Sequence, residues 1–414
     1  MTVVLLLMAG LLILLFLGLH VASAIIMLAF GSDALLLNGM LPLSASSIAW
    51  DRMNEFALVA IPLFVLLGEI LLRAGIAEKL YNSLAVWMEP LPGGLLHTNT
   101  FASALFAATS GSSVATAATI GTVAIPLMEK RGYNNRMVYG SLAAGGTLGV
   151  LIPPSILMIV YGALADVSVG KLFMGGMVPG ILLALCMSLT IVIMSVVRRT
   201  KFERGESIPL IKKLSLLIEI IPTFIIFVIV IGSIYAGLAT PTESAALGIV
   251  AALILAAFYK TLSISMLHHA FLGAMKTTSM IILIIVAAFC FNFVLALLGL
   301  PQAGSRMITE MGLSPYAMIW FLVLFYVILG CFLEAVSMMV TTVGIVVPII
   351  AAAGFDPLWF GIFLTVLMEI SMITPPVGLN LYVVQSLRPS GSNIFDVFLG
   401  IIPFLFTFIF FLAI

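Results

Sequence analysis

The chain carries the same interruption twice inside apolar sequence. Ile152-Pro153-Pro154-Ser155 breaks one apolar stretch and Thr374-Pro375-Pro376-Val377-Gly378 breaks another, with the prolines 222 positions apart. At the same offset Pro126, Gly132 and Tyr133 fall on Pro348, Gly354 and Phe355. A proline has no backbone N–H and clashes with the carbonyl one turn back, so two in a row unwind a helix locally. At membrane depth, unwound backbone survives only where protein buries it or where it lines a watery cavity. A matched pair of broken helices in corresponding halves of a membrane protein points to a transport-type binding site.

Apolar runs near the roughly 20 residues that span lipid lie near 2–30, 56–72, 137–165, 172–197, 218–238, 242–259, 277–300 and 394–414. Charged residues are 8% of the 414, against about 25% in soluble domains. The chain therefore reads as an all-α polytopic membrane protein. The first run has no basic start and further spans follow it, so it reads as a span and not as a signal peptide. Basic and acidic residues balance at 17 each, which gives no reason to expect nucleic acid. Cys186, Cys290 and Cys331 lie inside apolar runs and read as buried thiols. His97, His268 and His269 fall in or near interfacial segments and carry no assigned chemistry. The last run is cut at Ile414, so a short tail is expected beyond it.

Arg198, Arg199, Lys201, Arg204, Lys212 and Lys213 cluster between the two halves. Cytoplasmic loops collect Lys and Arg, so 198–213 is placed inside, as a connector or as a peripheral helix on anionic headgroups. Propagating from there puts the turn 130–136 and Arg388 inside, and Asp166, Lys171, Arg306, Glu310 and the turn 354–357 outside. Five crossings then separate the turn after Pro126 from the turn after Pro348. An odd number turns the second copy upside down, which makes the repeats inverted. The expected organisation is a first repeat over 1–197, a basic connector over 198–217 and a second repeat over 218–414.

Two segments are too polar or too interrupted to be ordinary spans. Residues 87–125 hold Ser103, Thr109, Ser110, Gly111, Ser112, Ser113, Thr116 and Thr119, and 316–347 hold Gly330, Glu334, Ser337, Thr341 and Thr342. Each precedes its repeat's broken helix, over 137–165 or 357–387. Each reads as a re-entrant hairpin, the alternative being a kinked full span packed through small residues. Freed carbonyls and hydroxyls suit a hard cation such as Na⁺, and half-helix N-termini suit a carboxylate. Each hairpin tip facing its break, Ser110–Ser113 on Gly149–Ser155 and Glu334–Thr341 on Ser371–Asn380, makes one candidate cation site. Intramembrane charge is costly and usually functional; the candidates are Glu334 at a tip and Glu369 one turn before a break. Glu69 and Glu243 read as snorkelling or capping residues. Asn380 is placed to bind substrate or to bond a freed carbonyl.

At these residues the chain resembles the large membrane subunit of tripartite ATP-independent periplasmic (TRAP) transporters. The resemblance covers nearly the whole chain. It includes Pro62-Leu63-Phe64 with Gly68-Glu69, Ser110-Gly111-Ser112-Ser113-Val114-Ala115-Thr116, Ile152-Pro153-Pro154-Ser155, Tyr235-Ala236-Gly237-Leu238-Ala239-Thr240-Pro241-Thr242-Glu243 and Ile373-Thr374-Pro375-Pro376-Val377-Gly378-Leu379-Asn380. It implies a Na⁺-driven importer of organic acids in a bacterial or archaeal inner membrane, working by an elevator motion. It also implies two partners, a soluble extracytoplasmic binding protein and a small helical membrane subunit on a separate chain. Cation sites carried over from the family fall on Ser110, Gly149, Leu151 and Pro154, and on Glu334, Thr374, Pro376 and Gly378. Ser112, Ser113, Thr116, Ser155, Ser337 and Asn380 are the expected contacts to an anionic substrate. Two departures stand out: no proline occurs in Gly18-Leu19-His20-Val21, and Glu334 stands where an aspartate is frequent.

Two other functions are weighed. An intramembrane hydrolase would use Ser112 or Ser113 but needs a base within hydrogen-bond reach. A passive channel would need a continuous polar pore, and the sequence offers no ring of charges.

Overall fold

A computed structural model describes residues 2–197, 209–300, 302–303, 306, 314–388 and 393–414. Every regular element among the described residues is helical. The first half holds α1 (Thr2–Phe16), α2 (Val21–Leu36), α3 (Leu41–Met53), α4 (Ala60–Arg73), α5 (Ile76–Met88), α6 (Leu95–Ser110), α7 (Ser113–Lys130), α8 (Asn135–Leu151), α9 (Ile156–Ala165) and α10 (Val169–Val197). The second holds α11 (Leu210–Leu217), α12 (Ile221–Tyr235), α13 (Pro241–Phe258), α14 (Ile264–Leu297), α15 (Pro315–Gly330), α16 (Ala335–Ala352), α17 (Pro357–Ile373), α18 (Leu379–Ser386) and α19 (Phe395–Ala413). Among the described residues seven helices are long and apolar enough to cross a membrane, or eight when α8 and α9, bent by 42°, count as one span. The chain is a multi-pass membrane protein.

The repeat survives as equivalent helices. Both α7 and α16 have 18 residues and start 222 positions apart, as do α8 and α17 with 17 residues each. Pro126 and Pro348 sit inside α7 and α16. The peptide bonds Pro153–Pro154 and Pro375–Pro376 are both cis.

Which ends meet fixes how the two broken helices run. At the start of α8, Arg136 pairs with Asp396 at 2.9 Å, and Arg388 after α18 reaches the same carboxylate at 3.7 Å. Arg388 also lies over the Tyr139 ring at 4.1 Å. At the far end of α9, Tyr161 donates to the Pro357 carbonyl that opens α17, at 2.6 Å. So α8–α9 and α17–α18 run antiparallel, and Arg136 and Arg388 share one end, as the charge reading expects. Of the basic connector, Lys212 and Lys213 lie on α11, while 198–208 fall outside the described residues.

The core centres on α8, where every residue from Met137 to Leu151 is buried. It packs against α6, α7, α10, α17, α18 and α19. Small residues at Gly140, Ala143, Ala144, Gly145, Gly146 and Gly149 let these neighbours approach, the usual basis of helix packing in lipid. A second group forms around α14, which packs on α2, α3 and α4, with α13 on α4. The two groups touch where α14 meets α16 and where α4 meets α6.

Some sequence readings need correction. The run 2–30 is two helices, because the chain turns at Gly18 with φ +80°. The first hairpin starts and ends later than 87–125, at Leu95 and Lys130. Cys290 is buried, but Cys186 and Cys331 are only half-buried; all three are free. His97 faces neither solvent nor lipid. It is fully buried, bonded to Ser188 Oγ at 2.7 Å and to the Pro92 carbonyl at 2.8 Å. Glu243, by contrast, caps its helix as expected, through a capping box with Thr240, and Glu69 pairs with Arg73 at 3.0 Å.

The crossing of α8 and α19 is backbone on backbone: a Cβ at Gly140 would sit 2.1 Å from the Gly400 carbonyl oxygen. Gly31, inside α2, has nothing within 4 Å of such a Cβ. Gly140→Ala is therefore expected to cost about 1–3 kcal/mol through overpacking, read as a lower melting temperature of the detergent-solubilised protein. Gly31→Ala is expected to leave it unchanged or raise it.

Candidate functional site

In a helix each carbonyl accepts from the N–H four residues on. Pro153 and Pro154 therefore take away the donors for Gly149 and Val150, and Pro375 and Pro376 those for Ser371 and Met372. The structure answers these losses differently in the two halves.

In the first half the Val150 carbonyl accepts the Ser155 hydroxyl, and Ser155 also caps α9 through the Met158 N–H at 3.3 Å. The tip between α6 and α7 lies directly on the break. Gly111, at φ +63°, has no room for a side chain: a Cβ would be 2.9 Å from the Pro154 carbonyl oxygen. A Cβ at Gly149 would likewise be 2.9 Å from the Ser112 carbonyl oxygen. Tip and break thus meet through backbone oxygens. Within the tip the Ser110 and Thr116 hydroxyls are 3.0 Å apart, and Thr116 donates to the Ser112 carbonyl at 2.7 Å. Ser112 caps α7, its Oγ accepting from the Ala115 N–H at 3.4 Å. Everything from Ile152 to Ser155 is buried. Of the expected cation residues, Ser110, Gly149 and Pro154 gather at this seam. The Leu151 carbonyl is instead packed against α10, 2.9 Å from where a Cβ of Gly176 would be.

In the second half Glu334 caps α16, its Oε1 accepting from Ser337 N at 2.9 Å and Ser337 Oγ at 2.7 Å. Between this tip and the break is a cavity of about 10 Å³, lined by Leu333, Glu334, Ala335, Ser371, Met372, Val377, Gly378 and Leu379. That is roughly the room for one water or one bare cation. The lining includes both residues whose carbonyls lost their helical donors. Gly378 is required there, since a Cβ would be 2.9 Å from the Met372 carbonyl oxygen. Two expected ligands are engaged elsewhere. The Pro376 carbonyl accepts the Tyr382 hydroxyl at 2.8 Å, and the Thr374 hydroxyl donates to Ile370 O at 2.6 Å. Pro376 is exposed, unlike its counterpart Pro154.

Asn380 joins the two halves. Its side chain is buried, accepts from Ser113 Oγ at 2.9 Å and donates to the Ala143 carbonyl at 3.2 Å. Glu369 is fully buried, and neither carboxylate oxygen has a hydrogen-bond partner among the described residues. Ser113 faces an amide and Ser112 caps a helix, so neither forms a nucleophile–base pair. The sequence reading held Val150, Ser371 and Met372 only as members of its two break segments, and counting back four residues from each proline singles them out; it missed Tyr382. It also missed buried Asn99, held by the Tyr81 hydroxyl and by Ser141 Oγ, each at 2.8 Å.

A family model described as "Tripartite ATP-independent periplasmic transporter, DctM component" matches residues 1–414. A C4-dicarboxylate TRAP transporter large permease protein DctM of Pseudomonas aeruginosa is 38% identical over 359 residues, 85% of this chain and 84% of that one. A sialic acid TRAP transporter large permease protein SiaM of Vibrio cholerae is 31% identical over 333 residues, 80% of this chain and 78% of that one. The solved YdaH transporter of Alcanivorax borkumensis has a similar fold at TM-score 0.61, with 13% identity over 88% of this chain and 85% of that one.

Gly111→Ala is expected to prise the first tip from its break and to lower substrate uptake at least tenfold in reconstituted vesicles. Gly132→Ala is the control for backbone strain alone, since Gly132 has φ +68° but open space around it. It is expected to cost only about 1–2 kcal/mol of stability and to leave uptake within about twofold, a shift of under ~0.5 kcal/mol.

Proposed function

Because the chain belongs to the DctM-component family of tripartite ATP-independent periplasmic transporters, we propose that it is a secondary active importer that couples Na⁺ entry to uptake of a carboxylate. The observation that carries this reading is the pair of antiparallel seams in which a hairpin tip meets a doubly broken helix. One seam sets the Pro154 carbonyl against Gly111 and the Ser112 carbonyl against Gly149, and the other encloses an ion-sized cavity beside Glu334. Carbonyl, hydroxyl and carboxylate oxygens are the donors a hard monovalent cation takes. On this reading Ser110, Gly149 and Pro154 hold one Na⁺, and Glu334, Ser371, Met372 and Gly378 hold the other.

The anionic substrate then lies between the two cations, near the N-termini of α7, α9, α16 and α18. Ser112, Ser113, Thr116, Ser155, Ser337 and Asn380 are its nearest hydroxyls and amide. Cation binding offsets the charge of the carboxylate, so the loaded site crosses the apolar interior more readily than a bare anion would. The moving body is α6–α9 with α15–α18, and the frame is α2–α4 with α13 and α14. Support for that division is the packing of α14 on α2, α3 and α4, apart from the group around α8. The two repeats are inverted across the membrane plane, in keeping with the antiparallel course of the broken helices. A small helical membrane subunit and a soluble extracytoplasmic binding protein complete the transporter in the inner membrane. The relatives named for C4-dicarboxylate and for sialic acid share a carboxylate substrate, and that group is the one assigned here.

In proteoliposomes holding both membrane subunits, with binding protein outside, labelled succinate or N-acetylneuraminate should accumulate under an inward Na⁺ gradient. Uptake that is equally fast with K⁺ replacing Na⁺ on both sides rejects the coupling. Glu334→Gln keeps the cap geometry but removes the charge beside the cavity. It should raise the Na⁺ concentration for half-maximal uptake at least fivefold, about 1 kcal/mol.

A further inference from the structure

We propose that Asn380 is the positioning residue that couples the two cation seams, so that filling one favours filling the other. This rests on the cation reading above and adds the link between the two sites.

Asn380 belongs to the second broken helix, two residues beyond Gly378 and next to Leu379, both of which line the second cavity. Its side chain nevertheless bonds only first-half groups among its described partners. The amide oxygen accepts from the hydroxyl of Ser113, the residue after Ser112 at the first tip. The amide nitrogen donates to the Ala143 carbonyl within α8. The two partners are 267 and 237 positions away in sequence. They also fix the orientation of the amide, because the hydroxyl and the carbonyl must face opposite ends of it.

The first half makes room for this side chain. A Cβ at Gly146 would lie 3.2 Å from Asn380 Nδ2 and 2.7 Å from Ala117 Cβ. The tie is also one-sided. At the repeat offset Asn380 corresponds to Met158, whose end packs against α10, its Cε 2.4 Å from where a Cβ of Gly176 would be. The bond is therefore an addition to the repeat and not a product of it. Asn380 is 0% and Ser113 2% exposed, so water cannot replace a lost partner, and each truncation strands a polar group. Any shift of the start of α18 as the second cavity fills is passed through Asn380 to Ser113, and from there to the Ser112 carbonyl at the first seam.

The test uses the complete transporter and two readouts, the Na⁺ dependence of uptake and the thermal stabilisation by Na⁺ without substrate. For Na⁺ binding, followed as stabilisation without substrate, wild type should give a Hill coefficient near 2, and Asn380→Ala should bring it to about 1, as expected when two sites lose their coupling; uptake should then need more Na⁺ for half-maximal rate. Ser113→Ala removes the same bond from the other side and, with one hydroxyl deleted, guards against an Asn380 variant that fails to fold. It should lower the coefficient equally, and the double variant should be no lower than either single one. Na⁺ stabilisation of unchanged steepness in either single variant overturns the proposal. So does a raised substrate KM with unchanged Na⁺ cooperativity, which would make Asn380 a substrate contact only. A wild type indifferent to Na⁺ overturns the cation reading and this coupling together, whereas a Na⁺-responsive wild type with unaltered variants overturns the coupling alone.

Discussion

A carbonyl four residues before a proline has lost its helical donor, and in a hydrocarbon interior no water replaces it. This chain meets that situation at four carbonyls in two places, Gly149 and Val150, and Ser371 and Met372. Much of the local architecture follows from how they are answered. Ser155 bonds one of them and caps the next half-helix at the same time. The hairpin tips lie over the breaks because only protein backbone or polar side chains can cover exposed peptide groups at that depth. The tips then need their own caps, which Ser112 and Glu334 supply.

Covering a break with a tip demands close approach, and close approach explains the small residues. Gly111, Gly149 and Gly378 each stand where a Cβ would be 2.9 Å from a carbonyl oxygen. Behind them a Cβ at Gly68 would be 3.0 Å from the Ser110 carbonyl oxygen, and one at Gly330 would be 2.3 Å from the Ser371 Cβ. The helices around α8 are drawn in as tightly, so the most buried helix in the first half is also among its richest in glycine. Polar seam and tight core are one solution to one problem.

Much of this was legible in the chain before any coordinates. Prolines and a constant repeat offset are local signals, so both breaks could be read directly, and the antiparallel course of the two broken helices came from charge bias and a count of crossings. Charge bias placed Arg136 and Arg388 at one end, where both meet Asp396. Hydropathy alone merged α1 and α2, because it is blind to the backbone turn at Gly18. Tip positions were harder: where α6 ends depends on what α8 presents to it, and that is a tertiary fact. The Tyr382 bond to Pro376 and the Asn380 bond to Ser113 left no mark in the spacing, since neither follows the repeat.

That asymmetry bears on how two similar seams could serve one transport step. Two identical sites would bind and release alike, with no order between them. Here the first break is buried from Ile152 to Ser155, while the second exposes Pro376 and half-exposes Thr374 and Val377. A hydroxyl donor from Tyr382 already satisfies the second proline carbonyl, which leaves the carboxylate of Glu334 and the residues Ser371 and Met372 as the polar lining of the cavity. The first seam offers backbone oxygens, with hydroxyls only, to whatever fills it. A repeat that supplies the same frame twice thus carries two chemically distinct seams, one buried and lined by neutral groups, the other holding a small cavity beside a carboxylate. On the proposed cation reading, that difference is what would let the two seams fill in a set order.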